Sequence, residues 1–91
     1  MTNPIQTTGM SGGTITTNSL PGETTAGWII RHDTNVARSA PSGDTLTTTW
    51  TSSSGSQTVI TNRDPAENDK EFRLRHETAY LVAMMEEPPI P

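Results

Sequence analysis

Apolar and polar positions alternate most regularly in the middle of the chain. Over residues 45–51, Leu46, Thr48 and Trp50 fall on one side and threonines on the other, which is the two-residue period of a strand. The cluster Ser52-Ser53-Ser54-Gly55-Ser56 closes a hairpin, and residues 57–63 return antiparallel. Upstream, residues 27–33 predict a further strand, because Trp28, Ile29 and Ile30 are aromatic or β-branched and Trp28 and Ile30 share a face. His32, Thr34 and Val36 continue that face if the strand runs on, with Asp33-Thr34-Asn35 as a bulge or an early end. A helical alternative exists, since Ile29, Val36 and Ala40 are compatible with one helix face, but the Trp-Ile-Ile cluster favours the strand. Residues 41–44, Pro-Ser-Gly-Asp, form a turn by composition.

In the last third the period changes to that of a helix, expected over residues 64–87. Asp64 supplies an N-cap acceptor, Pro65 sits at the first helical position, and Glu67 lies three residues after the cap. Phe72, His76, Ala79, Tyr80, Ala83 and Met84 form one stripe, widened by Leu74, Leu81 and Met85, and Pro88-Pro89 ends the helix. Asp69 with Arg73, and Glu71 with Arg75, have the spacing of helical ion pairs. Only the apolar part, residues 72–85, matches the length of a short strand, so residues 65–71 are expected to project as a charged spur.

Composition restricts the fold further. The chain has 91 residues and is 30% hydrophobic, which allows one small core. Residues 1–26 are dominated by threonine, glycine, serine, asparagine and proline, and such a segment buries too little apolar surface to offset its ordering entropy. The expected fold is therefore α+β, a small three-stranded antiparallel β-meander packed against one C-terminal α-helix. A disordered N-terminal arm (1–26) precedes the domain (27–87), and a Pro-rich tail (88–91) follows it. A core this thin favours help from a partner or a second copy.

The formal charge is −4, with the acid excess mainly after Arg63, and that balance disfavours general nucleic-acid binding. Cysteine is absent and no apolar run or leader-like start occurs. The expectation is a soluble, cytoplasmic protein without a membrane segment.

Candidate chemistry is sparse. His32 adjoins Asp33 and His76 adjoins Glu77, but sequence neighbours diverge on a strand or a helix, so no metal site is expected and His76 reads as a half-buried ring bonded to a backbone or threonine acceptor. Arg31-His32-Asp33-Thr34 echoes Arg75-His76-Glu77-Thr78, yet the two lie in different expected structures, and the echo is taken as coincidence. The serines at 52, 53, 54 and 56 lack an activating elbow, and the glycines at 9–13 lack the strand and lysine of a phosphate loop. No catalytic residue and no cofactor is expected. Threonine on the strands reads as a polar solvent face; an ice-binding or glycan-bearing face would need strict repetition, which is lacking.

Trp28 and Trp50 are expected in the core; an exposed one beside Arg31 or Arg63 would make a binding patch. With Asp69 of the spur and Arg73 just after it, these six residues are the candidate interaction surface. The function expected is that of a non-enzymatic interaction or assembly protein, of the kind carried by phages or mobile elements. It would act by self-association or by docking to a protein partner. The alternative is a small nucleic-acid-binding regulator reading through the sheet with Arg31, Arg38 and Arg63.

Overall fold

The computed structural model describes residues 3–9, 13–40 and 43–91. The fold is α+β, with strands β1 (Ile5–Gly9) and β2 (Thr14–Thr17), helix α1 (Thr25–Ser39), strands β3 (Thr45–Ser52) and β4 (Gly55–Asn62), and helix α2 (Asp69–Glu86). The strands form one antiparallel sheet in the order β2-β1-β3-β4. Both helices contact it on the face that carries the buried strand residues.

The β3–β4 hairpin agrees with the alternation read from the sequence. Leu46, Thr48, Trp50 and Ser52 are buried, and the threonines between them lie on the opposite face. The centre of the apolar stripe of the last helix is also in place, with Phe72, His76, Tyr80 and Met84 buried one turn apart, but Leu74 and Met85, expected to widen it, are exposed.

Four expectations are corrected. The segment expected to be a disordered arm supplies β1, β2 and the N-cap of α1. Its inward positions include Thr7 and Thr17, both buried, so hydroxyls occupy places where a search for apolar periodicity finds nothing.

Residues 27–33 are helical, not a strand. Trp28, His32 and Val36 repeat every fourth residue and are the buried positions of α1. Thr24 caps the helix by accepting from Gly27 N at 3.0 Å. The helix ends where Ala40 adopts a left-handed conformation (φ 46°) and its N–H bonds the Val36 carbonyl.

The last helix starts later than expected. Asn68 is the cap, in a reciprocal capping box with Glu71 (2.8 and 3.2 Å), whereas Asp64 to Glu67 forms a separate turn closed by Glu67 N to Asp64 O at 3.0 Å. The projecting helical spur is therefore absent. The expected pairs give way to others: Asp69 binds Arg63 at 2.6 Å, Arg75 binds Glu67 at 2.7 Å, and Arg73 lies 3.8 Å from Glu77. The expected turn at 41–44 falls partly on residues outside those described, as does Gly12 of the glycines at 9–13.

The echo between the halves is structural, which corrects its reading as coincidence. At one constant spacing, Thr17, Asn18, Pro21, Glu23, Arg31, His32 and Thr34 match Thr61, Asn62, Pro65, Glu67, Arg75, His76 and Thr78. Each set occupies the same place in a ββα unit. The two units meet where β1 pairs with β3, and they are related by a pseudo-twofold axis at that seam. Residues 87–90 fold back beside β3, where Trp50 Nε1 donates to the Glu87 carbonyl (2.7 Å) and Ile90 N to the Thr51 carbonyl (3.0 Å).

Candidate functional site

Each ββα unit is tied by the same clasp. The carboxylate of Glu23 takes two bonds from Arg31 (2.9 and 2.8 Å) and one from Leu20 N, and that of Glu67 takes two from Arg75 (both 2.7 Å) and one from Asp64 N. Each arginine also bonds a carbonyl at the end of the preceding strand, Asn18 or Asn62. The two-pronged guanidinium holds Glu67 down to a pKa of about 2 and lowers that of Glu23. Arg31, a candidate for surface binding, is thus engaged in joining a strand to its helix.

At the seam lies a buried polar chain. Thr17 Oγ1 meets His32 Nδ1 (2.8 Å), His32 Nε2 meets Thr7 Oγ1 (2.8 Å), and Thr7 meets Thr48 across the β1–β3 seam (2.7 Å). Thr48 then meets His76 Nε2 (2.7 Å), and His76 Nδ1 meets Thr61 (2.8 Å). The Tyr80 ring stands edge-on between the imidazoles, 6.0 and 5.5 Å from their centroids, and its hydroxyl donates to Asp33. The expected threonine partner of His76 is therefore present, though the ring is fully buried.

Burial pushes both histidines down to a pKa of about 4. The nearby Arg31 charge and His76 add to the effect at His32, and Arg75 adds to it at His76. Two neutral imidazoles and four hydroxyls then share their hydrogens along a line. Asn35 Nδ2 donates to Thr17 (3.1 Å), so Thr17 gives its own proton to His32 Nδ1. His32 donates from Nε2 to Thr7, Thr7 to Thr48, Thr48 to His76 Nε2, and His76 from Nδ1 to Thr61. Run the other way, Thr17 would receive two hydrogens and its own proton would lack an acceptor at a position 1% exposed, whereas Thr61 is 6% exposed. Ala79 matches Asn35 in the second unit, which is why the line has a direction. No solvent reaches either imidazole, so this chain specifies the core and offers no surface to a substrate.

The other sequence candidates are also structural. Trp28 and Trp50 are buried and bonded through Nε1 to the carbonyls of Thr17 and Glu87. Arg63 lies 4.7 Å over the Phe72 ring, bonds the Gly43 carbonyl and holds Asp69. Arg73 Nε is buried without a hydrogen bond beside an equally unbonded Glu77 Oε1. Of the six, Trp28 and Trp50 share the buried core cluster, Arg31 lies in the clasp of the first unit, and Arg63 and Asp69 pair with each other.

Two outward surfaces remain. The open sheet face has uncharged side chains in cross-strand rows, Thr14–Thr8–Thr47–Ile60 and Thr16–Gln6–Thr49–Thr58. This is more regular than the sequence suggested, but the right-handed sheet twist of roughly 20° per strand keeps the rows from forming a flat lattice. The four strands carry neither lysine nor arginine.

The second surface is a groove of about 250 Å³ between the start of α1 and the end of α2. Ala26, Ile29 and Ile30 line one side, and Leu81, Met84 and Met85 the other. Ile30 is 63% exposed and Met85 82%. Sequence reading placed Met85 in the core stripe and Ile30 on a strand, and so missed the groove. The repeat carried a usable signal, because the positions matching Ala26, Ile29 and Ile30 in the second unit are Lys70, Arg73 and Leu74.

Among the described residues, no group of three or more histidine, aspartate or glutamate side chains is placed to hold a metal, and no helix is long and apolar enough to cross a membrane. Family models, curated proteins and solved structures give no match to this chain.

Proposed function

We propose that this protein is a non-enzymatic interaction and assembly module that docks a protein segment in the groove between its two helices. The observation that carries the reading is the groove lining, six apolar side chains with Ile30 and Met85 largely exposed. Exposed apolar surface collected in a concave site is a recognition feature, and methionine adapts its shape to an incoming side chain. The two histidines, the residues best suited to acid–base work, are sealed inside and structurally engaged. A nucleic-acid reading through the sheet draws no support from strands without a basic residue.

The test is affinity capture from cells that make the protein, with wild type and with Met85→Glu. The expected result is a protein recovered with wild type and lost with the variant. Equal recovery by both refutes groove docking, and so does recovery by neither when the protein also shows no Met85-dependent self-association at high concentration. Retained near-ultraviolet circular dichroism from Trp28 and Trp50 would show that the variant is folded.

A further inference from the structure

The two units are alike at their clasps and buried chain but differ at the two ends of the helix pair. At the groove end stand Ala26 and Val82, both exposed; the matching residues at the far end are Lys70 and Arg38, also exposed. Among the described residues, neither Lys70 nor Arg38 has an ion-pair partner, and at the groove end the same holds for Glu86 and Glu87. Glu86 and Glu87 also stand at the C-terminus of α2, where the helix dipole adds to the negative potential. The far end holds an exposed apolar residue as well, Leu74, which matches Ile30 of the groove. One end is thus an apolar recess with unpaired acids; at the other, the exposed Leu74 stands as a knob with the unpaired bases Lys70 and Arg38, beside Asp69, which Arg63 neutralises, and Glu71, which is engaged in the capping box.

We infer that the occupant of the groove is the far end of a second copy of this chain, with Leu74 seated between Ile30 and Met85 and with Lys70 and Arg38 facing Glu86 and Glu87. This rests on the groove-docking reading and adds to it the identity of the occupant. The two surfaces are different patches at opposite ends of the same helix pair, so the contact is head-to-tail and leaves a free groove and a free knob on every growing chain. Opposite charges in the two patches disfavour groove against groove, which would bring Glu86 and Glu87 of two copies together. The patches are small, at the low end of specific interfaces, so assembly is expected at high protein concentration and is weakened by salt.

Sedimentation velocity from about 20 µM to 1 mM would test the inference with three proteins. These are wild type, a groove variant (Met85→Glu) and a knob variant (Arg38→Glu with Lys70→Glu). All the substituted residues are exposed, and circular dichroism would verify folding. The wild type is expected to pass beyond the dimer as concentration rises and to fall back when sodium chloride is raised to 0.5 M. Each variant alone is expected to remain monomeric. An equimolar mixture is expected to stop at a one-to-one dimer, because one intact groove meets one intact knob.

A wild type that is monomeric at 1 mM, or that stops at a dimer, overturns the inference; so does a mixture of variants that stays monomeric. If the wild type is monomeric yet captures another protein in a Met85-dependent way, the occupant is wrong and groove docking stands. If assembly occurs but Met85→Glu leaves it intact, groove docking fails as well.

Discussion

Lowering the pH from 8 to 5 adds protons to the two histidines of the unfolded chain while the folded chain refuses them. An imidazole titrates near 6.5 when free, and burial at the seam lowers both rings to about 4. The unfolded state therefore binds more protons between these values. The stability attached to neutral rings is complete above about pH 6.5 and is lost progressively as the pH falls toward 4. Integrated from pH 8 to 5, this amounts to about 2 kcal/mol for each ring and about 4 kcal/mol together. That is a large share of what a small single-core protein has to lose.

The carboxylates modify the lower end of this window. Glu67, held at about 2, and Glu23, also lowered, add further loss below about pH 4.5, whereas Asp33 and Glu77, raised by burial, bind protons in the folded state and offset part of it. A clear decline is thus expected between pH 6.5 and 5, where the histidines of the unfolded chain take up protons and the buried rings do not. Urea unfolding followed by tryptophan fluorescence at half-unit steps gives the slope, and proton NMR of the imidazole Cε1–H signals gives each ring directly. A stability flat from pH 7 to 5, or either ring titrating near 6.5 in the folded protein, would refute the account of the seam.

The direction of the hydrogen-bonded line predicts opposite tautomers, Nε2–H on His32 and Nδ1–H on His76, read from their nitrogen-15 shifts; the reverse pair, Nδ1–H on His32 and Nε2–H on His76, would contradict the role given to Asn35, and like tautomers would contradict the line itself. Thr48→Val keeps the shape of a buried side chain but leaves Thr7 and His76 Nε2 each short of a partner. A loss of about 3 kcal/mol is expected from urea midpoints, and one below about 1 kcal/mol would mean that the groups find other partners. Asn68→Ala removes one half of the α2 capping box and should cost about 1 kcal/mol, measured the same way.

The legible parts of the fold are those in which apolar side chains mark the inner face. Leu46 and Trp50 gave β3 away, and Phe72, Tyr80 and Met84 did the same for α2. In the first half the inner face is written largely in threonine and histidine. Thr7, Thr17 and His32 are as buried as any leucine, but polarity hides them from a hydropathy pattern. Trp28-Ile29-Ile30 misled for a related reason. Strand propensity is a weak preference, and here the cap at Thr24 and the four-residue spacing of Trp28, His32 and Val36 prevailed. The capping motif was correctly sought but placed one turn early, because Asp64-Pro65-Ala66-Glu67 and Asn68-Asp69-Lys70-Glu71 both satisfy its spacing. Comparing the halves would have repaired most of this, since the helix expected from residue 64 onward implies another at the matching positions of the first half. The groove was legible only as a difference between the halves, and a difference has no meaning until the likeness has been recognised.

The fold-back of the last residues brings Pro91 within 3.4 Å of the Asn3 side chain, on a molecule whose halves are related by a pseudo-twofold axis. The order in which the halves are read is then a matter of wiring. A circular permutant that starts at Gly43, runs to Pro91, crosses a short glycine linker to Asn3 and stops at Ala40 keeps every strand pairing, both clasps and the bonds of Arg63 to Gly43 and Asp44. It exchanges the order of the two units along the chain.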